Sequence, residues 1–408
     1  MRKKISVDDL AVGMYLQEVG GSWIKNPFWR SSFVVSDPAQ IARVKASGIH
    51  EVWIDPEKGG DVVPPPEIAP DAGASLKAAA DDPAPMVPLT TSMSEELARA
   101  SQICAQSKAA VASMFREARM GNAVDGEGAR RVVQEITDSV ARNARALISL
   151  ARLKTADDYT YMHSVAVCAM MVGLARQLGL DEAGVRAAGI AGLLHDMGKA
   201  LVPVEVLNKP GKLTPAEFTI VKSHPERGHK LLVKGGNVDP KALDVCLHHH
   251  EKMDGSGYPK GLKGDEISVY AKMGAVCDVY DAITSNRPYK AGWDPSESMR
   301  MMAQWANGHF DPVVFQAFAR SLGIYPVGSL VRLTSGRIGV VLDQTAESLT
   351  VPIVKVFFDN KSLQRIAPET LDLSDRATGE KIVAREDPAK WNFADLNELW
   401  SGSPGRDA

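Results

Sequence analysis

Three stretches in the middle of the chain set ionisable side chains among apolar ones. They are "GLLHDMG" around His195 and Asp196, "DVCLHHHE" ending on His248, His249 and His250, and "AVCDVYDA" around Asp278. Each reads as helix, and each places its imidazole or carboxylate where the surrounding residues would be buried. An unpaired ionisable group in an apolar interior costs several kcal/mol, so such a chain must fold in a way that brings these groups to compensating partners. His163 in "YMHSVAVCAMMVGLARQLGL" and His224 in "KSHPERG" join the same set. A metal ion collecting them is the economical compensation. Nitrogen and oxygen donors without cysteine suit Fe, Mn or Zn. So many donors exceed one ion's shell, which makes two ions sharing a bridging carboxylate the natural count. His50, His229 and His309 stand apart and read as surface or satisfied core residues.

At 408 residues the chain is too long for one ordinary core and reads as multidomain. Residues 1–60 read as a small α+β module, with strands in "MYLQEV", "SFVV" and "EVWI" and a helix capped by Asp37. Its Trp23, Phe28 and Trp29 read as core aromatics. Residues 61–92, rich in Pro, Ala and Asp, read as a linker. Lead helices over 93–150 open at the Ser92 cap. Residues 151–325 read as an all-α domain. In it an amphipathic helix ends at Gly179, the next runs from Asp181 through His195 toward Gly198, and a single helix spans "TPAEFTIVKSHPERGHKLL" from its Thr214 cap. Alternating β-branched runs over 326–373 read as a small β module, followed by a tail over 374–408 carrying "WNFADLNELW".

A net charge of −3 argues against coating a nucleic acid polymer. No apolar run approaches the ~18 residues that span a bilayer, so no membrane association is expected. The start "MRKKISVDDL" lacks an apolar signal core, and the four cysteines form no CxxC pair, so a reduced, cytoplasmic protein is expected.

Five motifs in order, "HDMGK" (195–199), "LNKPGKLT" (207–214), "HPERG" (224–228), "HHEKMDGSGYP" (249–259) and "DVYDAITSNRPYK" (278–290), resemble those of the HD-GYP domain, a branch of the HD superfamily of metal-dependent phosphohydrolases. The first residues are similar to an uncharacterised domain often found ahead of it. The resemblance implies a central HD-type helical domain and an enzyme that hydrolyses cyclic di-GMP, opening one phosphodiester to give linear pGpG and in some members continuing to GMP. It implies two divalent ions, Fe or Mn, held by His163, His195, Asp196, His224, His249, His250 and Asp278, with Asp196 as the bridge. Lys199 would stand beside the scissile phosphate as a catalytic group with Asp196. Gly257, Tyr258 and Pro259 are the name-giving triplet, and Arg287 and Lys290 fall where the family places substrate-contacting cations. The register counted back from the triplet leaves His248 out, and Glu251 would orient a ligand.

The chain departs from the pattern at two places, the milder being Lys252 where an Arg often follows "HHE". Some members carry a Glu one helical turn before the first histidine as ligand to a third ion; here that position is Tyr159, which implies two ions and pGpG as product. Two other readings stand beside this one: a hydrolase of another cyclic dinucleotide or nucleotide phosphoester, and a non-catalytic cyclic di-GMP receptor or docking protein. Expected partners are cyclic di-GMP itself and a signalling protein such as a diguanylate cyclase, and the lead helices could serve a homodimer.

Overall fold

The computed structural model describes residues 3–6, 10, 13–19, 33–35, 41, 51–56, 58–59, 91–154, 158–209, 211–286, 292–345, 348–391 and 393–402. They divide into two units, residues 1–69 and 70–408. In the first, β1 (Lys3–Ser6), β2 (Tyr15–Val19), β3 (Phe33–Val34) and β4 (Glu51–Ile54) form an antiparallel sheet in the order β1-β4-β2-β3. Alternation in "EVWI" sends Val52 and Ile54 to one face, where they bury with Ile5, Leu16 and Val35. The helix expected after Asp37, the cluster Trp23, Phe28 and Trp29, and the linker up to residue 90 lie outside the described residues.

The second unit opens with the long helices α1 (Met93–Arg119) and α2 (Gly126–Arg152). Then come α3 (Tyr159–Gln177), α4 (Glu182–Leu194), α5 (Val204–Leu207), α6 (Pro215–Lys222), α7 (His224–Gly235), α8 (Pro240–His248), α9 (Val269–Thr284), α10 (Pro295–His309) and α11 (Pro312–Leu322). Ser92 and Glu95 close a capping box on α1. Glu96, fully buried, accepts from Arg142 and Ser139 and ties α1 to α2. The central element is α3. It is not amphipathic as expected: every residue from Met162 to Ala175 is buried, because α1, α2, α4, α9 and α11 pack around it. His163 therefore lies in the core. No described helix is long and apolar enough to cross a membrane.

Two expected helices end early, and both ends matter for the site. The helix α4 stops at Leu194, and a 3-10 turn, Met197–Leu201, carries Lys199. The single helix expected from Thr214 is broken at Ser223 into α6 and α7. Pro225 is the cause: it has no N–H to give to the Val221 carbonyl four residues back. That carbonyl accepts the imidazole Nδ1–H of His224 instead, at 2.7 Å.

The C-terminal sheet has five antiparallel strands, β5 (Leu330–Leu333), β6 (Arg337–Asp343), β7 (Ile353–Asp359), β8 (Gln364–Asp372) and β9 (Ile382–Arg385), in the order β8-β7-β6-β5-β9. It runs past residue 373, since β9 pairs with β5 through Val331 and Arg385. Four residues flanked by charge carry too little alternation to read as a strand. Beyond it, α12 (Pro388–Trp391) and α13 (Leu396–Ser401) follow, and Trp391 and Phe393 pack on Phe358 at 5.3 and 5.2 Å.

Candidate metal centre

All seven side chains expected as ligands meet in the helical unit, drawn from the ends of α4 and α8, the start of α7, and the interiors of α3 and α9. They fall into two groups, His163, His195, Asp196 and Asp278 in one and His224, His249 and His250 in the other, with the donor atoms of each within 4.8 Å of one another. Asp196 stands between them. Its Oδ2 lies 3.2 Å from His163 Nε2 and 3.4 Å from His195 Nε2, while its Oδ1 lies 3.1 Å from His224 Nε2 and 3.8 Å from His249 Nε2. Asp278 spans the groups in the same way, with Oδ1 3.0 Å from His163 Nε2 and Oδ2 3.7 Å from His250 Nδ1.

Helix ends explain why the imidazoles point inward. The last carbonyls of a helix have no intrahelical partner. His195 Nδ1–H donates to the Gly192 carbonyl at 2.7 Å and His249 Nδ1–H to the Val245 carbonyl at 2.9 Å, as His224 does to Val221. A carbonyl only accepts, so these bonds place the proton on Nδ1 and leave a lone pair on each Nε2. His163, in mid-helix, is held instead by Asp281 Oδ2, 2.7 Å from its Nδ1. The Nε2 atoms then converge in pairs, His163 with His195 at 3.2 Å and His224 with His249 at 3.3 Å. Neutral His224 and His249 so arranged oppose lone pair to lone pair. Asp196 Oδ1, also buried, has no hydrogen-bond donor. Cations between these donors resolve the repulsion, so the residues fit two divalent ions.

Electrostatics prepare most of the site for that cargo. Burial opposes ionisation of Asp196, but the Lys199 ammonium and the surrounding His195, His163 and His224 outweigh it and hold the carboxyl far below its ordinary range. Burial likewise opposes Asp278, and the facing His163 and His195 again win. Burial and the neighbouring histidines keep His249 neutral, and burial pushes His250 down to about 3. His163 is the exception. Burial lowers its pKa, yet Asp196, Asp278 and Asp281 together raise it to about 10. Below that pH the metal-free protein holds a proton on Nε2 that a cation must displace. Metal uptake at pH 7–8 should therefore release about one proton from this residue, and affinity should climb as pH rises. Calorimetric titration in buffers of different ionisation enthalpy reads this directly; heats independent of the buffer would contradict it.

The triple histidine divides as the register implied. The helix α8 ends at His248, whose Nδ1 bonds Asp244 Oδ1 at 2.8 Å, away from the cluster. His248→Ala should leave metal content and turnover within about twofold of the parent, whereas His249→Ala and His250→Ala should lose both. Metal analysis of the three variants checks it, and equal losses would contradict the geometry.

Glu251 does not orient a ligand. Buried, it accepts the backbone N–H of Lys260 at 2.7 Å and of Leu262 at 3.1 Å, and so pins the Gly257–Tyr258–Pro259 loop. Gly257 is needed because a Cβ there would lie 2.5 Å from Glu251 Cα and Lys252 N. Gly198 is needed for a similar reason: a Cβ would sit 1.9 Å from the His224 carbonyl oxygen, so only glycine lets the Lys199 turn pack on α7. Tyr258, joined to Pro259 by a cis peptide bond, donates its N–H to the His250 carbonyl and stacks on the His250 ring at 4.7 Å. His250 and Lys199 keep 22% and 19% of their side-chain surface, far more than most of the cluster, so the site opens on their side. Lys199 Nζ donates to Asp196 Oδ2. Arg287 and Lys290 lie outside the described residues.

Two residues escaped the sequence reading. Asp281 follows Asp278 by one helical turn, and that spacing in "DVYDA" was its only signal. Lys154, just beyond α2, reaches both Asp281 oxygens at 2.6 and 2.5 Å with no exposed side-chain surface. Nothing local marks it. Tyr159, where a third-ion ligand would stand, stacks on His163 at 5.8 Å.

A helical bundle that gathers a His–Asp doublet with four further histidines and a second aspartate defines an HD-type metal-dependent hydrolase. Residues 136–314 match a family model described as an HD domain, and residues 2–129 one described as a domain of unknown function. The chain belongs to the HD-GYP family. It is 52% identical over 403 residues to a cyclic di-GMP phosphodiesterase of Pseudomonas aeruginosa, a match covering 98% of this chain and 96% of that one. A cyclic di-GMP phosphodiesterase response regulator of Xanthomonas campestris is 44% identical over 149 residues, 36% of this chain and 39% of its own. A 3'3'-cGAMP-specific phosphodiesterase of Vibrio cholerae is 36% identical over 168 residues, 41% of this chain and 36% of its own.

Proposed function

We propose that this chain is a cyclic di-GMP phosphodiesterase that opens one 3',5'-phosphodiester to give linear pGpG at a site for two Fe or Mn ions. The observation that carries the reading is Asp196, one buried carboxylate whose two oxygens each face a separate set of imidazole nitrogens. His163, His195, Asp196 and Asp278 would hold one ion, and His224, His249, His250 and Asp196 the other. Two such ions polarise a phosphodiester and supply a hydroxide-like water near neutral pH. The protein's own groups do the rest. Lys199, at the open side, brings an ammonium to the phosphoryl oxygens and can hold the proton the 3' oxygen needs on leaving. Tyr258, fixed by the loop that Glu251 pins, shapes the mouth beside His250. Asp281 and Lys154 hold His163 from behind.

The product assignment rests on Tyr159 in place of a third-ion carboxylate, and on Asp158 pairing with Lys108 at 2.9 Å instead. The relative named for 3'3'-cGAMP makes a mixed cyclic dinucleotide the second reading. Protein purified without air, analysed for metal and incubated with each cyclic dinucleotide, with products resolved by chromatography, decides between them. Metal-loaded protein that never linearises cyclic di-GMP would defeat the proposal.

A further inference from the structure

The half of a cyclic dinucleotide that is not cleaved still carries a phosphodiester charge and a purine. The described active-site groups account for the scissile half alone. From the metal centre outward, however, the side chains form a continuous column. His250 stacks on Tyr258 at 4.7 Å, Lys222 Nζ stands 4.6 Å from the Tyr258 ring centre, and the Phe218 ring lies 5.6 Å from the same Nζ. The column starts at His250, which keeps 22% of its side-chain surface.

Both outer residues are unusual for a surface helix. Lys222 makes no ion pair and no ammonium hydrogen bond among the described residues; its contacts there are the two aromatic faces. Phe218 is 51% exposed, on a helix, α6, that buries none of its residues. An aromatic ring left in water beside an ammonium without a carboxylate is poor as packing and good as a nucleotide receptor. Bases stack on aromatic side chains regardless of sequence, and an ammonium takes a phosphate as a point charge. The break that Pro225 makes at Ser223 separates α6, which carries both residues, from His224 in the centre.

We propose that Lys222 and Phe218 form the subsite for the uncleaved half of the substrate: Lys222 binds the second phosphodiester and Phe218 stacks its guanine. This rests on the cyclic di-GMP reading above and deepens it. The position of Lys222, two residues before the ligand His224, then couples recognition of the second nucleotide to the centre that cleaves the first.

The test is steady-state kinetics of the metal-loaded full chain on two diesters, cyclic di-GMP and bis(p-nitrophenyl) phosphate, which has neither a second phosphate nor a purine. Lys222→Met and Phe218→Ala should each raise KM for cyclic di-GMP about tenfold, with kcat moved less than about twofold and KM for the small diester steady. Lys222→Arg, which keeps the charge, should recover most of the loss. An unchanged cyclic di-GMP KM in both variants would overturn the subsite. So would equal losses on both diesters, which would make Lys222 a support for Tyr258 and His250 rather than a substrate contact. If the parent itself leaves cyclic di-GMP intact, the functional reading fails first and takes the subsite with it.

Discussion

Asp196→Asn protein should purify folded but nearly free of metal, and its turnover should fall by about 10³-fold or more, ~4 kcal/mol of barrier. The substitution keeps the shape of the side chain and removes its charge. In the parent, one oxygen of Asp196 faces His195 and the other His224, and the Nδ1 proton of each is drawn to a helix-end carbonyl. An amide would turn its NH2 toward one of those imidazoles and donate hydrogen bonds where an ion should sit. The metal-free fold gains partners while the metal site is blocked. Thermal unfolding in chelator should therefore show the variant close to the parent, whereas adding Mn or Fe should stabilise the parent strongly and the variant little, since a ligand stabilises only the state it binds. Asp196→Ala should share the metal loss without the compensating hydrogen bonds and unfold at lower temperature in chelator. A variant Asn protein that still carries both ions would show that Asp196 is not shared between them.

The contrast between the ligands and their supports shows what a sequence makes legible here. His195, Asp196, His249, His250 and Asp278 stand out because each sits in an apolar segment where an ionisable group is costly, and that cost is written locally. Asp281 and Lys154 obey the same rule, yet their compensation is each other across 127 positions, which no local window displays. The helix breaks were hidden for another reason. Ser223, Pro225 and Glu226 do carry the residue types of a helix start, but the strong Thr214 cap ahead of them favours one continuous helix, and Ser223 makes no side-chain cap bond. The helix α3 is buried all round rather than amphipathic because its tertiary neighbours cover it on every side. Periodicity reports which face a helix prefers to bury; it does not report how many neighbours arrive.

Lys154→Met should destabilise the metal-free protein by about 3–5 kcal/mol, because the buried Asp281 carboxylate loses its ammonium and keeps only the His163 and Ser285 contacts. Lys154 and Asp281 have essentially no solvent to fall back on. Asp281→Asn alone strands the ammonium in the same way. The double variant, Lys154→Met with Asp281→Asn, removes both charges, and the Asn carbonyl can still accept the His163 Nδ1–H; stability should return to within about 1–2 kcal/mol of the parent. Metal affinity should not return with it. The carboxylate behind His163 raises the basicity of Nε2, and a neutral amide does not, so affinity should stay about 10–100-fold weaker in the double variant. Denaturation in chelator and metal titration, run on all four proteins, separate the two quantities. If the single losses simply add in the double variant, Lys154 and Asp281 are not acting as a pair; if metal affinity recovers together with stability, Asp281 serves the fold and not the ion. The expected split places a lysine from the end of α2 in control of a histidine on α3 through one carboxylate on α9, so that the packing of three helices sets the donor strength of a single ligand.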